Sequence, residues 1–274
     1  MKTIKLSIVS MLLLFAVACT KNNNSTPNDT GVVSSDDAAD MAAGSLSLNS
    51  NGVAAVSNDA TNVGGSLSVN SIGAAPGSSA FSSDDATTVN SSSVPKVTLA
   101  CGTTLSDSIS RQSSPGSPVT YNYNLDYNFT LNCNNNVPNN LVSILAYNGS
   151  FSGPNLSSSN TGSTVFTVTG LSPSATDFLV NGEYKRSGAF QSKTDTVKHG
   201  NYSIDIVVNA LDLIKPARTI ESGTATITVS GDTPKKGNFS YTGTIVFNGD
   251  GTAKLTFSGI IYSINLTTGV KTKV

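Results

Sequence analysis

The sequence predicts an all-β fold: a single antiparallel β-meander domain behind a low-complexity N-terminal tether. Three observations predict it. Val119, Tyr121, Tyr123, Leu125, Tyr127, Phe129, Leu131 and Cys133 occupy strictly alternate positions, with Thr120, Asn122, Asn124, Asp126, Asn128, Thr130 and Asn132 between them. That period of two is the signature of a half-buried strand. Further alternating runs follow at short spacing, separated by turns that contain glycine, and no long amphipathic helical pattern occurs after residue 96. A sandwich, a barrel and an open half-barrel all satisfy this pattern.

In chain order, residues 1–18 read as a secretory signal peptide. Lys2 and Lys5 precede an apolar run from Leu6 to Val17, and Ala16-Val17-Ala18 place small residues before Cys19. The apolar run, about thirteen residues, is short of the roughly 20 that span a hydrocarbon core. Residues 1–19 resemble the signal of a Gram-negative bacterial lipoprotein, with Ala16-Val17-Ala18-Cys19 standing at the lipobox. The resemblance implies a lipid on Cys19 and attachment to a membrane through it. Thr20-Lys21-Asn22 lack the Asp that retains some lipoproteins in the inner membrane, which implies the cell outer membrane. Ala16-x-Ala18 also fits the ordinary signal peptidase, which would cut the same bond and leave a soluble chain with an N-terminal thiol.

Residues 19–95 are rich in Ser, Asn, Asp, Ala and Gly, with Phe81 their only aromatic residue. Such composition buries too little apolar surface to offset the entropy of ordering, and it reads as a tether. A flexible coil of that length reaches about 50 Å. Within it, Ser35 followed by Asp36 and Asp37 predicts the start of a short Ala-rich helix over 36–46. Gly44-Ser45-Leu46-Ser47-Leu48-Asn49-Ser50 returns as Gly65-Ser66-Leu67-Ser68-Val69-Asn70-Ser71, an echo too short for a solenoid.

Residues 96–274 form the β domain. Val97, Leu99 and Cys101 alternate ahead of the long run that ends at Cys133. With Cys19 lipidated and the chain exported, Cys101 and Cys133 are the pair left to form a disulfide, each on the apolar phase of its strand. Tyr202, Ile204, Ile206 and Val208 give another strand, whose phase is lost near Asn209 in favour of Leu211 and Leu213; a bulge there explains the shift. Ala225, Ile227 and Val229, then Ile245 and Phe247, then Ala253, Leu255 and Phe257, then Ile260, Tyr262 and Ile264 complete the meander. Asn248-Gly249-Asp250-Gly251 reads as a hairpin turn rather than a calcium loop, because an EF-hand count from Asn248 puts Gly259 where a bidentate Glu is required.

Chemistry has little to work with. Charged residues are 12% of the chain, about half the usual share, and the net charge is -1, so nothing favours nucleic acid as a partner. His199 is the only histidine, which excludes a two-His metal site. Gly149-Ser150-Phe151-Ser152-Gly153 has Phe151 where a hydrolase elbow needs its nucleophile. Asp205, Asp212 and Glu221 are the carboxylates left for an enzyme, at no diagnostic spacing. No catalytic residue, metal or cofactor is therefore assigned. Tyr121, Tyr123, Tyr127 and Phe129 form an aromatic row that would suit a glycan if exposed, although Val119, Leu125 and Leu131 on the same phase make it a core face first. The expected function is a non-enzymatic cell-envelope lipoprotein with a tethered β domain for binding or architecture. Carriage of a lipid or other apolar ligand in an open half-barrel is the second reading, and a carbohydrate-binding or polymer-hydrolysing surface lipoprotein the third.

Overall fold

The computed structural model of the chain describes residues 32–67, 99–234 and 236–274. Within them the alternating runs form eleven strands: β1 (Thr104–Gln112), β2 (Thr120–Asn134), β3 (Val137–Ser152), β4 (Leu156–Thr169), β5 (Asp177–Ser192), β6 (His199–Ile214), β7 (Thr219–Thr233), β8 (Gly237–Phe247), β9 (Thr252–Phe257), β10 (Ile260–Asn265) and β11 (Lys271–Lys273). Each pairs antiparallel with the next, in the unbroken order β1 to β11. The first and last strands do not pair, so the sheet is a curled, open meander and not a closed barrel.

Period two sends one set of side chains inward on every strand. Tyr123, Leu125, Tyr127 and Phe129 of β2 meet Leu145 and Tyr147 of β3, Phe166 and Val168 of β4, and Tyr184 and Phe190 of β5 in one buried cluster. Rings alternate with glycines across this face. Tyr123 lies opposite Gly149 and Tyr147 opposite Gly162, where an added Cβ would sit 2.4 and 2.3 Å from the neighbouring ring. A ring laid over a glycine shields the exposed backbone and lets adjacent strands curl tightly. The phase shift expected near Asn209 is present: Ala210 has φ 49°, and the β6–β7 register slips between Asn209 and Asp212.

The interior of the curl is filled by the chain's own N-terminal segment. Helix α1 (Ser35–Leu46), a 3-10 turn (Leu48–Ser50) and helix α2 (Val53–Ser66) form a hairpin inside the sheet. The helix expected over 36–46 is α1, capped one residue earlier than expected, by Ser34, in a reciprocal box with Asp37. Helix α2 was not expected, and the tether reading is corrected over 35–66. Ala38, Ala39, Ala42 and Ala43 of α1 and Val53, Val56, Ala60 and Val63 of α2 are almost fully buried. Helices that fit inside a narrow curl must be slim as well as apolar, which is why their buried positions are chiefly Ala, Val, Ser and Gly.

Backbone bonds stitch the turn of the hairpin to the turn between β10 and β11: Leu48 N–H donates to Leu266 C=O at 2.7 Å and Asn49 N–H to Thr267 C=O at 3.1 Å. At the start of α1, Lys198 pairs with Asp37 at 2.9 Å and Lys271 with Asp40 at 3.2 Å. Both sheet edges are blunted. On β1, Asp107 and Arg111 occupy inward positions opposite Tyr127 and Tyr123; β11 is three residues long and carries Lys271 and Lys273. Inward charges, short length and lysines are the means by which edges avoid pairing with other chains. Cys101 and Cys133 form the expected disulfide, with α-carbons 5.5 Å apart. It sits at the rim and not in the core, because Cys101 lies in an exposed turn ahead of β1.

Candidate functional site

Two places concentrate polar chemistry, one inside the sheet and one on its outer face. Inside, β5 carries Arg186 at a position where alternation puts core residues, between Tyr184 and Phe190. Its guanidinium is 1% exposed and donates to the hairpin: Nη1 to Gly44 C=O at 2.9 Å, Nη2 to Ser50 C=O at 2.5 Å and to Asn51 C=O at 3.1 Å. These carbonyls lie at the end of α1 and in the following turn, where a helix leaves its acceptors unsatisfied and its dipole is negative. Tyr123, Tyr147, Phe151 and Tyr184 surround the cation with ring centroids 5.5–5.8 Å away. Arg186 Nε donates to Tyr147 Oη at 3.3 Å, Tyr147 donates to Tyr184 at 2.8 Å, and Tyr184 donates to Asn51 C=O at 3.0 Å.

A second inward cation closes the other side of the hairpin. Arg111 of β1 donates through Nη1 and Nη2 to both oxygens of Asp59 on α2, at 2.7 and 2.8 Å, and Tyr127 Oη donates to the same carboxylate. Burial works against the Arg111 charge, and the Asp59 carboxylate outweighs it, so the guanidinium is held more firmly protonated than in water. Burial first, and Asp59 second, push the Tyr127 phenol far above its ordinary value, which keeps it a donor. Both arrangements bind helix to sheet; neither offers a nucleophile or an open coordination position.

The outer face is open. Depressions of about 820, 510 and 380 Å³ lie across β2–β6, β2–β5 and β4–β6, the first also reaching Pro234 just past β7. Asn122, Ser150 and Ser159 line both the first and the second, while Thr161 and Ser187 line both the second and the third, so they join into one trough. Ser, Thr, Asn and Gln supply most of its lining residues, together with Tyr121, Phe151 and Phe190 at the first depression and Lys185 and Asp205 at the third. Side chains on this face are of two kinds, and the trough holds both: Asn124 with Asn148, Ser157 and Gln191 are hydrogen-bonded there. On β1 and β2 the hydroxyls are consumed in a cross-strand ladder: Thr104 with Thr130, Ser106 with Asn128, Ser108 with Asp126, Ser110 with Asn124. Along the trough, the side chains of Asn122, Ser150, Ser159, Thr161, Ser187 and Asn201 have no hydrogen-bond partner among the described residues.

The residues singled out from sequence fall as follows. Cys19 lies outside the described residues. The aromatic row is not an exposed surface: Tyr123, Tyr127 and Phe129 are at most 1% exposed and Tyr121 is half-buried, because their face of β2 looks onto the hairpin. His199 is exposed and lines the trough. Asp205 and Asp212 stand on one strand, on either side of its bulge. Burial and then Glu183 raise the Asp205 carboxyl; burial and then Asp177 and Glu221 raise that of Asp212. Each thus has carboxylate neighbours on adjacent strands, Glu183 beside Asp205 and Asp177 and Glu221 near Asp212. Missed from sequence were Arg186, Arg111 and Asp59, whose signal was a charge standing in an apolar phase. No family model matches this chain, and neither does any curated protein or solved structure.

Proposed function

We propose that the chain is a non-enzymatic lipoprotein of the Gram-negative cell envelope, anchored in the outer membrane through Cys19, whose β domain binds a partner along the polar trough on its outer face. The observation that carries this reading is the occupied interior. Carriage of an apolar ligand would require the hairpin to leave, stripping Arg186 of its three carbonyl acceptors and Arg111 of the Asp59 carboxylate. Breaking a buried pair such as Arg111 with Asp59 by removing one partner costs several kcal/mol, of order 3–5. Recognition is therefore assigned to the outside, where unengaged hydroxyls and amides line a depression of ligand-binding size.

Two experiments test the two halves. Intact mass and detergent partitioning of wild type and Cys19→Ser report the anchor: the variant should lose the acyl mass and leave the detergent phase, and equal partitioning would place the anchor elsewhere. Maleimide labelling of Ser187→Cys and Thr244→Cys compares the trough with an exposed outer-face site on β8. Ser187→Cys should label slowly in isolated envelopes and quickly in purified protein, with Thr244→Cys quick in both. Equal rates in envelopes would remove the trough as the recognition surface.

A further inference from the structure

We infer that the trough takes an uncharged polysaccharide, a proposal that rests on the trough being the recognition surface. Charge narrows the choice first. Among the trough's lining residues the side chains that can carry a positive charge are Lys185, His199 and Arg186. Lys185 is already paired with Glu183 at 2.8 Å, and Arg186 is turned inward onto the hairpin carbonyls. Nucleic acids and acidic polysaccharides need clustered, available cations, and here only the single side chain of His199 is left over, with the Asp205 carboxylate at the other end of the trough.

Peptides are disfavoured by a different property. An extended peptide is usually held by an unpaired strand edge, its backbone completing the ladder. The trough lies on the face of interior strands, β3 to β6, whose backbones are paired on both sides. Side-chain recognition of a peptide would call for apolar pockets or charged partners, and the lining is chiefly Ser, Thr, Asn and Gln.

What the lining does offer is a lattice of groups that both donate and accept. Hydroxyls and carboxamides have that dual capacity, and so do the ring hydroxyls of a neutral sugar. Asn122, Ser150, Ser159, Thr161, Ser187 and Asn201 are repeated at strand spacing, about 4.8 Å across the sheet, from β2 to β6. That makes a surface about 20 Å wide, several sugar units long, and open rather than enclosed, which suits a chain and not a monosaccharide. The neighbouring ladder on β1 and β2, whose hydroxyls are already paired, would be silent.

The test is affinity electrophoresis of the mature chain in gels containing a neutral β-glucan, a mannan or a galactan, with polygalacturonate as the acidic counterpart. At least one neutral polymer should retard the wild type, and polygalacturonate should not. Ser187→Arg fills the middle of the trough and should weaken the retardation by about tenfold or more, the scale of losing a net hydrogen bond together with shape. Thr244→Arg, the same change on β8, should bind as wild type does. No retardation by any neutral polymer, a preference for polygalacturonate, or equal retardation of Ser187→Arg and wild type would each overturn the proposal. Protection of Ser187→Cys in envelopes separates the two levels: if protection persists while the neutral polymers fail, the ligand class falls and the surface stands. Loss of both removes the surface itself.

Discussion

Replacing Arg186 by Met keeps the length and bulk of the side chain and removes its charge and every hydrogen bond it gives. Gly44 C=O would still accept from Ser50 Oγ, and Asn51 C=O from Tyr184 Oη, whereas Ser50 C=O would lose its side-chain donor. One buried acceptor without that donor costs about 1–3 kcal/mol. Four rings losing their cation add on the order of 1–2 kcal/mol, and relief from desolvating the charge subtracts some of this. The net expected loss is about 3 kcal/mol, a large part of the 5–15 kcal/mol that ordinarily holds a domain folded. Urea unfolding of the mature chain carrying Cys19→Ser, followed by tyrosine near-UV circular dichroism, reads it directly. With a slope of about 3 kcal/mol/M, the midpoint should fall by about 1 M. A midpoint within about 0.2 M of the parent would refute the idea that Arg186 holds the hairpin in the sheet.

Asp59→Asn should cost about 3–5 kcal/mol by taking the charged, two-oxygen acceptor away from the buried Arg111, whereas Asp59→Leu with Arg111→Met should recover most of that loss; urea midpoints of the three chains check the sign. Without reductant, neither folded nor denatured Cys19→Ser protein should titrate a thiol, and reduction of Cys101–Cys133 should lower stability by about 3–4 kcal/mol on the chain-entropy estimate. Asp37 and Asp40, three residues apart on α1, should respond to pH with opposite signs. Burial works to raise the Asp37 carboxyl, but hydrogen bonds from Ser34 and Lys198 outweigh it and leave it below 3.8. Its contribution is therefore present above pH 3.8 and lost as pH falls through the folded value, so Asp37→Asn should cost about 1 kcal/mol at pH 7 and flatten the acid limb. Asp40 is raised above 3.8 by burial, against the pull of Lys271. Its penalty is present above the folded value and fades as pH falls toward 3.8, so Asp40→Asn should be neutral or stabilising at pH 7 in the same pH-resolved melts.

The strands were legible because period two survives any detail of packing: the run from Val119 to Cys133 became β2, and the phase slip near Asn209 became a bulge. Helix α2 was not legible by composition, since Ala, Ser, Asn and Gly are what a disordered tether also contains. Its spacing did carry a signal. Val53, Val56, Ala60 and Val63 recur at three, four and three residues, a helical stripe short of large side chains because the space inside the curl is narrow. Alternation also contained the site that fixes the hairpin. Arg186 shares a phase with Tyr184 and Phe190, and Arg111 with Leu105 and Ile109; a charge in such a phase is either an error of register or a buried cation with a partner elsewhere. Here the partners lie 142 and 52 residues away, in a segment whose composition gave no reason to look. The trough was illegible for the opposite reason. Outward positions are Ser, Thr and Asn almost everywhere on this sheet, and only the strand pairing separates hydroxyls that bond one another from those that do not.

The central claim is that hairpin and sheet are one cooperative unit, closed inside and open to partners only outside. Native-state amide hydrogen exchange across a range of sub-denaturing urea tests it most directly. Amides of α1 around Ala42 and of α2 around Ala60 should exchange with the same opening free energy and the same urea dependence as those of β3 to β5, because the buried arginines tie their opening to global unfolding. Hairpin amides exchanging several kcal/mol more readily, with a small urea slope and the strands still protected, would contradict the account; the hairpin would then be a lid and the interior a binding site.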